Sequence, residues 1–463
     1  MVNLFSFEFL LGFWMFFVIY WSVSPWGRIQ NVMLLFAGYY IVWLAGVYPL
    51  LVLISWSACT YLLVQIAGSS RYVKRAGPVL LCLLVGYFFV FKYYSPLNDP
   101  MQTFFDSLHV PFSLPAINIL LPLGLSFYLF NTVSLVLSVA RREVAKPAIM
   151  DILLYLNFIP TLIAGPVNRA TELMPQIIAH RRTLVDYKRA LYLIALSLVK
   201  LFLLSSWLND TFVLPVFSLP AGQNMGDSLL AVYAWAWNIY FNFSGYTDLV
   251  TGLALLLGFR IAKNFAHPYL AGSVKAFWRD WHISLSTFIR DYVYFPLGGN
   301  RKGVGRTQIN VIVAMVISGL WHGAGLTFLF WGAIHGGGLV VHNLWNRWGK
   351  VRLPGLPARL LTFHFVCLAW VFFRADSISD AVTILDNIAG GTLSSLSSQQ
   401  CRALLLFMGV IVLYPALVDI RLTVMDRVAD LRWYTLPLVI IPLLALAFFL
   451  APSGVPGFIY AHF

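Results

Sequence analysis

Apolar runs long enough to cross a bilayer recur along almost the whole chain, and no other feature narrows its folding options so far. A transmembrane helix needs roughly 17–25 mostly apolar residues. Runs of that kind lie at 5–22, 31–46, 48–67, 77–95, 115–140, 188–208, 228–258, 307–321, 326–345, 357–373, 401–418 and 433–451. The fold class read from them is an all-α integral membrane protein, a polytopic bundle of about 11–12 helical spans. It is read as one membrane-embedded domain over residues 1–463 with its core at about 115–345. The first run, FSFEFLLGFWMFFVIYWS, has no basic segment before it and no small-residue cleavage site after it, so it is expected to be retained. The run at 228–258 is expected to bend or split.

Only 11% of the residues are charged against 60% hydrophobic, at a mean hydropathy of +0.79, which excludes a soluble globular domain. The net charge of +13 falls between the apolar runs, where lysine and arginine meet anionic lipid. Membrane lipids, not nucleic acid, are the partner this implies. Lysine and arginine in short loops also set orientation. Arg71, Lys74 and Arg75, then Arg141, Arg142 and Lys146, then Arg181, Arg182, Lys188 and Arg189 mark three cytoplasmic loops. The links carrying Arg260 and Lys263, and Arg301, Lys302 and Arg306, are expected on the same side. The 95–112 stretch, with Asp99 and Asp106, reads as an outside loop. Cys59, Cys82, Cys367 and Cys401 show no paired spacing, so neither a disulfide framework nor a metal site follows from them.

Phe277 to Gly336 departs from this apolar pattern. It opens FWRDWHISLSTFIRDYVYFPLGGNRKG and continues, after a short link, into INVIVAMVISGLWHGAGLTFLFWGAIHGG, where His322 and His335 sit inside apolar runs. An ionisable side chain at membrane depth costs a few kcal/mol unless paired or solvated, and so marks a functional site by default. Segment 275–295 is too polar to cross. At about 100° per residue, Trp281, Leu285, Phe288 and Tyr292 share one face of a helix and Arg279, His282, Ser286 and Arg290 the other, with Ser284 turned well away from His282. The bland reading is an interfacial helix with aromatic anchors; the sharper one has the polar face line an internal cavity. LPLGLSFYLFNTVS, with Pro122 and Gly124, and FIPTLIAGPVNR, with Pro160, Gly165 and Pro166, read as broken or re-entrant segments that must face protein. In YFNFSGYTD, Asn242 and Asp248 cannot face lipid, whereas Ser244, Gly245 and Thr247 read as packing residues between helices. Phosphate-loop, zinc-protease, serine-hydrolase and thiol-redox motifs are missing.

For a lone membrane histidine a structural hydrogen bond is the ordinary role; three beside one segment shift the weight toward chemistry. A neutral imidazole at that depth can deprotonate a weak nucleophile such as a hydroxyl as a general base. His322 is the candidate. A developing oxyanion needs N–H donors, and His282, Trp321 and Gly323 stand nearest in sequence. His335, on the following helix, is expected to orient His322.

These same stretches resemble the membrane-bound O-acyltransferase superfamily, in particular its bacterial branch for alginate O-acetylation. The likeness is carried by FWRDWHISLS, RDYVYFPLGGNRKG and GLWHGAGLTFLFWGAIHG, and extends to LPLGLSFYLF, LIAGPVNR, FNFSGYTD and WVFFRA. It departs from the family pattern where Asn242 replaces an aspartate, Ala276 a glutamate, and Ser138 and Ala140 an aspartate and a tyrosine. The resemblance implies a bundle with re-entrant segments around a central tunnel, with His322 catalytic and His282 a second tunnel residue. His335, Trp321, Gly323, Arg279, Trp281, Asn242 and Asp248 form the supporting set at the tunnel or donor site. It further implies no resident cofactor, acetyl-CoA as acyl donor, a multi-pass place in a bacterial inner membrane, and partnership with periplasmic polysaccharide acetyltransferases and a polysaccharide synthase or export complex. The acceptor implied is alginate, cellulose or another exopolysaccharide, with peptidoglycan and teichoic acid as alternatives. A transporter or channel would also use broken helices and buried polar groups. Against that class stand the lack of an internal repeat and the scarcity of mid-span carboxylates.

Overall fold

Helices are the form in which long apolar segments can pair their own backbone groups in lipid, and every regular element among the described residues is helical. The computed structural model describes residues 7–69, 76–110, 112–115, 124–184, 186–349 and 353–450. Five helices among these are individually long and apolar enough to span, namely Val47–Ala67, Tyr187–Phe217, Val304–His322, Gly355–Arg374 and Ser398–Asp430. The other spans read from sequence fall on helices whose described residues miss that length or apolarity, several of them running partly outside the described residues. Arg71, Lys74, Arg75 and Pro122 lie outside the described residues.

The chain forms two compact units, one of residues 1–187 with 253–262, the other of 188–252 with 263–463. The first holds α1 (Phe7–Ser22), α2 (Gly27–Leu44), α3 (Val47–Ala67), α4 (Ala76–Ser107), α5 (Leu125–Ala140), α6 (Ile149–Leu156) and α7 (Ala170–Ile178). Helix α3 packs on α2, α4 and α5. Trp56 Nε1–H donates to Thr132 Oγ1 at 2.9 Å, and Thr60 and Thr132 share a hydroxyl hydrogen bond of 2.8 Å. The expected outside loop at 95–112 is a correction: α4 runs on to Ser107 through Pro96 and Pro100. Polar side chains on that extension fold the chain back onto it, since Gln102 Oε1 accepts from Leu114 N–H at 2.8 Å and Asn98 Nδ2 donates to Pro115 O at 2.9 Å. FIPTLIAGPVNR is irregular apart from one 3₁₀ turn at Ile159–Thr161, as its prolines require. It is buried, and its polar groups close on each other: Tyr155 OH donates to Asn168 O at 2.8 Å, and Asn168 Nδ2 to Thr161 Oγ1 at 2.7 Å.

The second unit begins with α8 (Tyr187–Phe217), which carries π-helical stretches at Val199–Ser205 and Asn209–Val213. Helix α9 (Met225–Leu256) is continuous, without the expected split. Two short helices, α10 (Val274–Asp280) and α11 (Ile283–Ile289), follow. A long hairpin of α12 (Val304–His322) and α13 (Leu326–Trp348) comes next, then α14 (Gly355–Arg374), α15 (Ile378–Ala389), α16 (Ser398–Asp430) and α17 (Leu436–Leu450). The single amphipathic helix expected over 275–295 is therefore replaced by two helices and a π turn at Arg290–Tyr294, broken at Trp281 and His282.

Helices α12 and α13 meet backbone to backbone. A Cβ on Gly319 would run into the carbonyl of Phe328, and one on Gly332 into that of Met315. Small residues permit such approach where lipid provides no hydrophobic drive between helices. Gly319→Leu and Gly332→Leu should therefore each destabilise the protein by about 1–3 kcal/mol through overpacking. Gly337→Leu is the control, because nothing lies within 4 Å of its added Cβ. Thermal midpoints in detergent should fall for the first two and hold for the third; equal midpoints would mean that the hairpin does not depend on this contact.

Candidate functional site

The break between α10 and α11 places the first histidine. Trp281 ends α10 in extended backbone, and His282 takes the left-handed conformation at φ 42° and ψ 53°. Few non-glycine residues adopt it, although histidine does so more readily than most. The groups released by the break find partners. Ala266 N–H donates to Asp280 O at 3.0 Å, Ile283 N–H to Asn264 O at 2.9 Å, and Ser286 N–H to His282 O at 2.9 Å. Segment 264–266 is thus stitched along the break.

Two rings leave that break in different directions. Trp281 packs on Phe265, Phe277 and Trp370 with centroids at 5.1, 5.5 and 5.0 Å. His282, only 1% exposed, reaches Asn264 Oδ1 from Nδ1 at 3.1 Å and lies edge-on to Phe243 at 4.7 Å. Burial strongly disfavours its charged form. The helical wheel put His282 with Arg279 and Arg290, but the break separates them: the Arg279 side chain is 75% exposed and forked onto Asp280. It likewise put Ser284 away from His282, yet Ser284 Oγ donates to the same Asn264 Oδ1 at 2.6 Å.

His322 is the last residue of α12 and 2% exposed. Its ring sits 4.7 Å from the indole of Trp321, which is itself 6.1 Å from His282, so one tryptophan bridges the two imidazoles. On its other side His322 meets Trp331 and Phe373, both at 5.1 Å. Trp331 then lies 5.1 Å from His335, which α13 buries completely. The resulting order is imidazole, indole, imidazole, indole, imidazole. Trp331 packs against both His335 and His322. Trp278 Nε1–H donates to His335 Nδ1 at 3.2 Å. Indole nitrogen is a donor only, so the proton of neutral His335 resides on Nε2, which has no acceptor among the described residues. Gly323 follows His322 in extended backbone, and a side chain there would strike the Phe328 ring.

The remaining candidates serve a second polar cluster. Asp248 pairs with Lys200 Nζ at 2.7 Å, which also reaches Ser244 Oγ at 3.1 Å. Asn242 Nδ2 donates to Ser205 Oγ at 3.2 Å. In the loop after α9, His267 is pushed down to about 4, by burial first and then by Arg421, Lys263 and Lys200, partly offset by Asp280. That loop is an electropositive surface beside the site's own segment. Reading the sequence missed Asn264, Trp278, Trp331 and Phe243, whose roles depend on tertiary approach. Of these only the two tryptophans, within WRDWH and FWGAIH, had a signal nearby.

Three histidines buried among indoles suit proton transfer between neutral groups. Comparison with known proteins agrees. The model described as MBOAT, membrane-bound O-acyltransferase family, matches residues 13–375. A probable alginate O-acetylase AlgI of Pseudomonas syringae pv. tomato is 35% identical over 76% of this chain and 68% of its own. A peptidoglycan O-acetyltransferase of Helicobacter pylori is 30% identical over 66% of this chain and 62% of its own. A teichoic acid D-alanyltransferase of Bacillus subtilis is 26% identical over 56% and 70%. With its multiple apolar helices and a family match over most of its length, this chain belongs to the membrane-bound O-acyltransferase family and is an acyltransferase of the membrane.

Proposed function

We propose that this acyltransferase takes acetyl from acetyl-CoA on the cytoplasmic face of a bacterial inner membrane and passes it through the bundle for O-acetylation of an exported polysaccharide such as alginate or cellulose. The observation that carries the reading is the pair of buried histidines, His282 and His322, held on one indole. Neutral imidazoles at that depth can take a proton from a hydroxyl as its oxygen attacks the thioester carbonyl; the C–S bond then breaks and the thiolate leaves with a proton. His322 is assigned as the base that takes the hydroxyl proton, and His282 as a second imidazole beside it that can also receive a proton. Trp321, Gly323 and His335 shape that space, and Trp281 anchors the break. The positive charges of Lys263 and Arg421 around the neutral His267 suit the phosphates of an anionic donor such as CoA.

The O-acetylase names of the relatives favour acetyl over D-alanyl. The likeness to a probable alginate O-acetylase of Pseudomonas syringae favours an exopolysaccharide acceptor, with delivery by periplasmic acetyltransferase partners beside a synthase or export complex. A second reading, peptidoglycan as acceptor, draws on the Helicobacter relative. Isolated envelope fractions assayed separately for O-acetyl on exopolysaccharide and on peptidoglycan discriminate between the two.

His322→Ala and His282→Ala should each lower polysaccharide O-acetylation by about 10²–10⁴-fold, the usual worth of a general acid or base, while membrane yield stays near normal. Near wild-type acetylation in either variant would defeat the assignment for that residue. Passage across the membrane also predicts access from both faces. With Cys59, Cys82, Cys367 and Cys401 replaced, single cysteines placed through residues 318–326 should react with impermeant thiol reagents from each side. Labelling of an active protein from the cytoplasmic face alone would contradict an open two-sided passage.

A further inference from the structure

We infer that Asn264 is a positioning residue that fixes the tautomer of His282, placing its ring proton on Nδ1 and leaving Nε2 as the proton acceptor. The inference rests on the acyl-transfer reading above and deepens it. It starts from the amide's orientation. Ser284 backbone N–H points at the Asn264 side chain at 3.4 Å, and a backbone N–H can only donate, so the atom it meets must be the oxygen. Ser284 Oγ–H donates to the same oxygen at 2.6 Å, and the backbone of 264 is itself tied to Ile283 N–H at 2.9 Å. Turning the amide over would set its NH₂ against the Ser284 N–H. With Oδ1 so fixed, the 3.1 Å contact to His282 Nδ1 is a hydrogen bond only if that nitrogen carries the proton.

A neutral imidazole has one protonated nitrogen, so Nε2 bears the lone pair. The arrangement has the logic of a base held by a third group that settles which nitrogen is free to accept. His335 is held in the reverse sense: Trp278 donates to its Nδ1 at 3.2 Å, and the proton lies on Nε2. The site therefore holds one histidine presented as acceptor, set by Asn264, and another presented as donor, set by Trp278. Asn264 is 1% exposed and its Nδ2 has no acceptor among the described residues, so a residue that offers only oxygen can replace it without losing a hydrogen bond.

The test uses the full chain in detergent or nanodiscs. In protein labelled with ¹⁵N-histidine, signals assigned to His282 by their absence from His282→Gln should show a pyrrole-type Nδ1 and a pyridine-type Nε2. The opposite pattern overturns the inference whatever the enzyme's activity, and the spectrum stands even if the acyl acceptor is misassigned. Asn264→Ala should cut kcat by about 100-fold or more, as loss of a tautomer-setting partner does elsewhere, with donor KM little changed. Asn264→Asp, which keeps an acceptor for all three donors, should recover kcat to within about 10-fold of wild type by the same accounting. Ser284→Ala, which leaves the His282 bond in place, should stay close to wild type. Equal loss in Asn264→Ala and Asn264→Asp with normal gel-filtration profiles would overturn the positioning role. Should Asn264→Ala not fold, the Asn264→Asp rate and the wild-type spectrum decide it.

Discussion

The site depends on one backbone break and on the hydrogen bonds that make it tolerable in an apolar interior. A left-handed non-glycine residue costs on the order of 1–3 kcal/mol, and a buried unpaired amide costs a similar amount again. At His282 the stitching by segment 264–266 removes the second cost and over-determines the first. Asp280 O, Asn264 O and His282 O all accept backbone amides there. What the break achieves is divergence. A continuous helix would have carried His282 round to the face of Arg279, whereas the kink sends Trp281 into the aromatic core and His282 toward Asn264.

The class of the protein was legible from hydropathy because lipid imposes a rule on every residue of a span at once. Helix ends followed where glycine and charge marked them, as at Val304–His322 and Leu326–Trp348. Legibility failed where the chain was polar enough to leave the bilayer pattern yet remained structured. Residues 95–107 read as a loop because two prolines and two aspartates broke the apolar run; they stayed helical because side chains such as Gln102 paired with the returning chain. Residues 275–295 read as one amphipathic helix because periodicity assumes a constant 100° step, and a single residue at φ 42° cancels that assumption. The two catalytic candidates were visible as histidines out of place. Asn264 was not, because 18 residues of separation hide a contact made through a turn.

Charge is kept away from the imidazoles by pairing elsewhere. Asp248 is taken by Lys200, Asp280 by Arg279, and the neighbours of His282, His322 and His335 are mainly indoles and phenyl rings. In such surroundings a carboxylate base would be costly, since an isolated buried charge loses far more hydration than a neutral ring does. A neutral imidazole avoids that cost until the moment of proton transfer, and tautomer, not charge, then decides which ring gives and which receives. The indole N–H groups of Trp331 and Trp370, buried without acceptors among the described residues, make the surroundings rich in donors. That bias favours negative charge developing on an acyl oxygen.

The departure at Asn242 fits a second ordered polar array in the same unit. Asn242 Nδ2 donates to Ser205 Oγ at 3.2 Å, Ser205 Oγ to Asn238 Oδ1 at 2.7 Å, Asn238 Nδ2 to Asn209 Oδ1 at 3.3 Å, and Asn209 Nδ2 to Asp210 Oδ1 at 3.1 Å. Every link points the same way, toward the one carboxylate. Ser205 and Asn209, four residues apart on α8, lie on one side of that helix and both bond Asn238 of α9. An aspartate at position 242, as the wider family has it, cannot donate to Ser205. The serine hydroxyl would have to turn toward that carboxylate, Asn238 Oδ1 would lose its donor, and the donors would point outward from the middle to a carboxylate at each end. Asparagine at 242 therefore fits the direction in which this chain's own hydrogen bonds are laid.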